Sequence, residues 1–260
     1  MKRHHMFRLL ALTLVFTMVL GLVSCGNQPQ QQSQTDTGTE TSGQAEGVNL
    51  NYGISNSWDS LMPYYSVSGS NYSRIIYDKL YDRLAYIQPD GTCSPRAATS
   101  WESADDGYAI LFHLDEGAAF HDGTPVTAQH WVDTIALVTN PACNVLGRDT
   151  FAGLTGTDEI GAAIEGENLG AEAVDEHTLK LTFDNPVVPE EFLVEYNRDI
   201  YVLPTHLLTD IAPEDLVTSD FWQNPVGSGP CQFVSEVSGS TLVLSANKDY
   251  QLGAPGFDTL

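Results

Sequence analysis

Hydrophobic positions along the chain switch between two periods, and the switches mark its elements. Ile75, Ile76, Leu80 and Leu84 recur at three- and four-residue spacing, which predicts a helix over Asn71–Leu84 capped by Asn71 or Ser73. Trp101 to Leu114, interrupted by Asp105-Asp106-Gly107, predicts a β-hairpin, because Asp-Gly supplies the positive φ that tight turns need. Trp131, Val132, Ile135 and Leu137 predict a second helix from Ala128 to about Val138, with Thr127 as its cap. Strict alternation at Leu179, Leu181 and Phe183 predicts a half-buried strand over His177–Phe183. A short helix over Glu190–Tyr196, a strand over Ile200–Leu203 and a hairpin over Phe233–Leu244 turning at Ser238-Gly239-Ser240 follow. Asn49 to Ile54 predicts an opening strand, ahead of a polar loop at Ser55–Ser60. No segment repeats. The class is mixed α/β (α+β) with hairpins, not a βαβ series.

The N-terminal apolar run is of another kind. Lys2, Arg3 and Arg8 precede Leu9 to Val23, fifteen uncharged residues, the length of a signal-peptide core and too short for a confident membrane span. Leu22-Val23-Ser24-Cys25-Gly26 resembles the bacterial lipobox, in which the cysteine thiol takes a diacylglycerol. Residues 1–24 are therefore expected to be a signal peptide and residues 25–47 a lipidated Cys25 followed by a disordered tether. From Gly26 to Gly47 there is almost nothing apolar to bury. The expected location is extracytoplasmic, with the lipid holding the protein to the cell membrane.

Charge removes one class of partner. Eleven Lys+Arg against 34 Asp+Glu give a net charge of -23, a field that repels phosphate backbones, so nucleic acid is excluded. With Cys25 acylated, Cys93, Cys143 and Cys231 remain. An odd count leaves at least one free thiol, a Cys93–Cys143 bridge stays open, and none has a C-x-x-C partner. No nucleophile elbow, H-E-x-x-H or phosphate loop occurs. His121 and His130 lie across a turn and a helix start, and His113, His177 and His206 are scattered, so no metal set is assigned. The adjacent acids Asp105-Asp106, Asp158-Glu159, Asp175-Glu176 and Glu190-Glu191 read as solvated turns. Neither catalysis nor a cofactor is expected.

Four stretches together carry a family resemblance: Pro95-Arg96-Ala97 through Trp101-Glu102; Phe120-His121-Asp122-Gly123-Thr124-Pro125-Val126-Thr127-Ala128; Asn224-Pro225-Val226-Gly227-Ser228-Gly229-Pro230; and Asn247-Lys248-Asp249-Tyr250 with Pro255. In this order they resemble the family 5 solute-binding proteins of ABC transporters for peptides or nickel. The resemblance implies a periplasmic-binding-protein-like class II fold of two lobes with an accessory domain. Residues 48–60 and 185–260 would belong to the first lobe and 61–184 to the accessory domain. Family members are about twice as long, so the resemblance implies an N-terminal fragment without the second lobe. Asp122, Gly123, Pro125 and Thr127 read as a turn and helix cap, and Gly227, Gly229 and Pro230 as structural. Two positions depart from the family: His130 replaces an acid that would complete a reciprocal cap, which predicts a weaker helix start, and Cys231 replaces a tyrosine.

By the same resemblance the loop after the opening strand runs along the ligand cleft. Trp58, Tyr64 and Tyr65 are then either one wall of a peptide site or packing between lobe and accessory domain. The implied function is a substrate-binding lipoprotein of an ABC importer, capturing oligopeptides or dipeptides and delivering them to the permease. The partners would be a short peptide, the permease subunits and the membrane through Cys25. The alternatives are a surface hydrolase acting on wall peptides or glycans, which needs a nucleophile or metal cluster, and a non-transport sensor lipoprotein.

Overall fold

The computed structural model describes residues 47–65, 71–196 and 199–260. The signal segment, Cys25 and the tether up to residue 46 lie outside the described residues, as does the Asn71 side chain. No helix among the described residues is long and apolar enough to cross a membrane.

The largest sheet has four antiparallel strands in the order β3-β4-β6-β5: β3 is Ala98–Ala104, β4 Ala109–Leu114, β5 Ala171–Asp175 and β6 Thr178–Thr182. The β3–β4 hairpin forms where Asp-Gly predicted it, through Asp105, Asp106 and Gly107 at φ of 49°, 55° and 93°. The one-in-two pattern of β6 buries Leu179 and Leu181. Strand β5, which the glycine- and glutamate-rich sequence hid, turns Ala171 and Ala173 toward helix α2, Ala128–Thr139. That helix buries Trp131, Thr134, Ile135 and Val138 against the sheet, while Val132 and Leu137 sit at the margin. A small hairpin, β1 (Ala85–Ile87) with β2 (Cys93–Pro95), and helix α3 (Pro189–Glu195), with Phe192 and Leu193 buried, complete this part.

The second sheet is the hairpin β7 (Cys231–Val237) and β8 (Thr241–Ala246), turning at Gly239 with φ 67°. Residues 258–260 extend it: Leu244 and Leu260 exchange both backbone hydrogen bonds at 2.9 and 2.8 Å. The expected opening strand does not form. Only Asn49 bridges Thr259 and only the Leu50 N–H finds a carbonyl there, so Asn51 to Ile54 have no partner to ladder with. Cys143 and Cys231 are buried, Cys93 is half-buried, and all three are free thiols.

Helix α1 spans Asn71–Leu80, one turn shorter than its apolar spacing predicts. Ser73 therefore lies inside it rather than capping it. The chain leaves the helix because the Leu80 carbonyl accepts the Gly229 N–H at 2.9 Å and the next residues turn Asp82 into the interior. Ile200–Leu203 is buried without being a strand. Its N–H groups go instead to the Tyr64 hydroxyl (2.9 Å), the Asp82 carbonyl (3.1 Å) and the Thr134 hydroxyl (3.0 Å), a substitute for ladder bonds that satisfies buried donors.

The weak start expected for α2 is corrected. His130 Nδ1 accepts the Thr127 N–H at 3.2 Å, the job an acid does in a reciprocal cap, and its ring packs on Phe120 and His206 at 5.0 and 5.4 Å. His130→Ala is expected to cost about 1–2 kcal/mol, the range for a lost cap. A denaturant titration showing no loss contradicts this assignment.

Candidate functional site

The four motif stretches converge on one place, the end of α1. Asp82, 1% exposed, takes Arg96 Nε on Oδ1 at 2.7 Å, the Tyr250 hydroxyl on the same oxygen at 2.8 Å and the Gln251 amide on Oδ2 at 2.7 Å. Arg96, 6% exposed, spends its remaining fork on the carbonyls of Asp78 and Tyr81 at 2.8 and 3.0 Å. Burial opposes the charge on Arg96, but Asp82, Tyr250 and Asp78 outweigh it and hold the guanidinium protonated. A buried pair with its lone pairs and donors this fully used is a register pin between segments.

The second and third motifs meet at His121. Its Nδ1 accepts the Gly227 N–H at 3.1 Å, its Nε2–H donates to the Gly229 carbonyl at 3.0 Å, and its own N–H donates to the Gly227 carbonyl at 2.8 Å. Glycine is required at both positions. A Cβ on Gly227 would stand 1.8 Å from the Leu80 oxygen, and one on Gly229 2.5 Å from the Lys79 oxygen. Ser228 Oγ accepts the Asp82 N–H at 3.0 Å, and Asn247 reaches Gly229 and Pro230 with its side chain and backbone. Asp122 and Gly123 make the turn before α2: Asp122 Oδ1 accepts the Thr124 N–H, Oδ2 faces His206 Nε2 at 2.8 Å, and Gly123 sits at φ 89°. Next to them Pro125 bridges Ala119.

His121 must be neutral to accept on Nδ1, and burial pushes its pKa below the ordinary histidine value; burial does the same to His130. A depressed histidine pKa contributes stability that is complete above the unfolded value near 6.5 and is lost as pH falls below it. Unfolding midpoints should therefore drop between pH 7 and pH 5. A midpoint flat across that window contradicts the neutral clamp.

The three aromatic candidates separate. Tyr64 is 2% exposed, and its hydroxyl donates to the Tyr201 carbonyl at 2.8 Å and accepts the Tyr201 N–H, so the structure gives it to the core. It belongs to a tyrosine cluster with Tyr77, Tyr81 and Tyr201 that pins residues 60–64 to α1. Sequence reading missed this cluster because Tyr201, which closes it, lies more than a hundred residues from the other three tyrosines. Tyr65 is 39% exposed and does not line the groove that Trp58 lines. Trp58 is half-buried, its Nε1–H donating to Glu236 at 2.6 Å. It lines a half-open groove of about 390 Å³ between residues 50–54, α1 and β8, walled by Ile54, Ile76, Leu242 and Leu244. No group of three or more metal-ligating side chains is found among the described residues.

The comparisons fit this architecture. The family model "Bacterial extracellular solute-binding proteins, family 5 Middle" matches residues 92–260. The periplasmic oligopeptide-binding protein OppA of Escherichia coli is 35% identical over 129 residues, 47% of this chain and 23% of OppA. The periplasmic murein peptide-binding protein MppA of the same organism is 29% identical over 178 residues, 66% of this chain and 31% of MppA. Among solved structures, the oligopeptide-binding protein AppA from Bacillus subtilis in complex with a nonapeptide shares the fold at a TM-score of 0.65 and 23% identity, covering 78% of this chain and 37% of AppA. The chain spans less than half the length of the relatives it matches. All four convergent motifs lie in the matched stretch. This chain belongs to the bacterial extracellular solute-binding proteins of family 5.

Proposed function

We propose that the chain is the substrate-binding part of an ABC importer, capturing short peptides outside the membrane and passing them to the permease. The observation that carries this reading is the Trp58 groove, an apolar concavity on a frame fixed by the Asp82–Arg96 and His121–glycine contacts, in a chain of this family. Peptide-binding relatives support the ligand class. The site needs no cofactor and carries out no turnover. Residues 61–184 are the accessory domain and residues 48–60 with 185–260 the first lobe. In support, the four-stranded sheet and α2 fall in the former, while β7, β8, the residues 258–260 that bond β8, and residues 48–50, which bond residues 258–259 in turn, fall in the latter.

The groove is open to solvent on one side, so a bound peptide stays partly hydrated. Di- to pentapeptides are expected to bind the 260-residue chain with a Kd of about 1 mM, about 4 kcal/mol, and Trp58→Ala to weaken that further. Saturation-transfer NMR tests it; no saturable signal at tenfold that concentration contradicts the reading. The anchor is tested separately. Cys25→Ala should leave an unprocessed precursor, and a normally processed, soluble product would remove the lipid from the account.

A further inference from the structure

Cations are scarce here, and their placement is informative. Among the described residues, Arg74, Arg83, Arg96, Lys180 and Lys248 each face a carboxylate, and Arg148 donates to the Cys143 carbonyl. Lys79 is the exception: no hydrogen bond or ion pair engages its ammonium among the described residues, although acids outnumber bases three to one. It is half-buried and lines the same groove as Trp58, Ile54, Ile76 and Leu244. A cation on the last turn of a helix complements the helix dipole, which accounts for a lysine in that turn but not for its facing an apolar groove. At every other described lysine and arginine except Arg148 a neighbouring carboxylate has taken the cation.

We propose that the groove takes the C-terminal end of a peptide whose last residue is apolar, with Lys79 as counter-ion to the terminal carboxylate. This rests on the peptide-binding reading above and names the part of the peptide that the groove holds. The apolar walls receive the last side chain, and Trp58, fixed by Glu236, supplies a rigid face beside it. A carboxylate next to Lys79 gains a charge-assisted hydrogen bond at contact distance. The many remote acids oppose it little, since charges more than about 8 Å away are screened at physiological ionic strength.

The test compares acetyl-Ala-Ala-Leu with its C-terminal amide and with acetyl-Ala-Ala-Ser, on the full chain and on Lys79→Gln and Lys79→Arg, all checked for folding by circular dichroism. The free acid should bind about five- to tenfold tighter than the amide, a difference abolished in Lys79→Gln and retained in Lys79→Arg. The leucine peptide should also bind more tightly than the serine one. Equal binding of acid and amide overturns the carboxylate assignment and leaves the peptide reading standing. A preference that survives Lys79→Gln overturns Lys79 as counter-ion. No binding of any of the three overturns both readings. Should Lys79→Gln fail to fold, raising salt from low to high must erase the acid-over-amide preference in the native chain, and a salt-independent preference overturns the proposal.

Discussion

Arg96→Ala is expected to destabilise the protein by about 3–5 kcal/mol, the cost of leaving a buried carboxylate without its cation. Asp82 would keep Tyr250 and Gln251 as donors, so it would be hydrogen-bonded but not neutralised. The carbonyls of Asp78 and Tyr81, which now share one guanidinium nitrogen, would lose that donor as well. Arg96→Lys should recover only part of the loss, because an ammonium cannot present the planar fork that meets all three acceptors. Guanidinium titration gives both values. A loss under about 1 kcal/mol for the alanine variant would mean that the pair is incidental to the fold.

The second large effect is steric. Gly227→Ala places a methyl group 1.8 Å from the Leu80 oxygen, a backbone atom that accepts the Gly229 N–H and ends α1. Neither side can yield without breaking that bond or the His121 clamp, so the cost should exceed about 4 kcal/mol and the variant should not fold at 37 °C. Gly239→Ala is the control. Its φ is 67°, but nothing lies within 4 Å of the added carbon, so only the left-handed backbone is charged, about 1–2 kcal/mol. Similar stability for the two variants would mean that the loop at residues 224–230 can move away from α1.

These two sites also show how much the sequence carried. Local signals did well: Asp-Gly at 106–107, the Leu179 and Leu181 alternation and the Trp131–Ile135 spacing each specify an element through neighbours a few residues away, although of the four residues expected inward on α2 Val132 and Leu137 lie at the margin. The motif glycines read as structural, and the close approach to Leu80 is the reason. What was hidden depends on distant partners. Nothing near Leu80 announces that the helix stops there, because its terminus is set by Gly229, and Asp82 owes its role to Arg96 and Tyr250. Ile200–Leu203 has the composition of a strand yet is served by two side-chain hydroxyls and one backbone carbonyl from three other segments. Tyr64 looks like an exposed loop aromatic until Tyr201 closes on its hydroxyl. His130 looks like a missing acid, although a neutral imidazole nitrogen accepts the same bond. The groove had one legible member, Trp58; Lys79 gave no signal because its distinction is that no hydrogen bond or ion pair engages it among the described residues.

A polar node holds the frame, and the groove is proposed to hold the ligand. An amide and side-chain NMR titration of the intact chain with acetyl-Ala-Ala-Leu tests that division directly. The account predicts that the Trp58 indole, the Lys79 side chain and the Leu242 and Leu244 methyls shift with one saturation curve, while the amides of His121, Gly227 and Gly229 stay in place. Shifts concentrated at Gly227 and Gly229, with Trp58 unmoved, would contradict it.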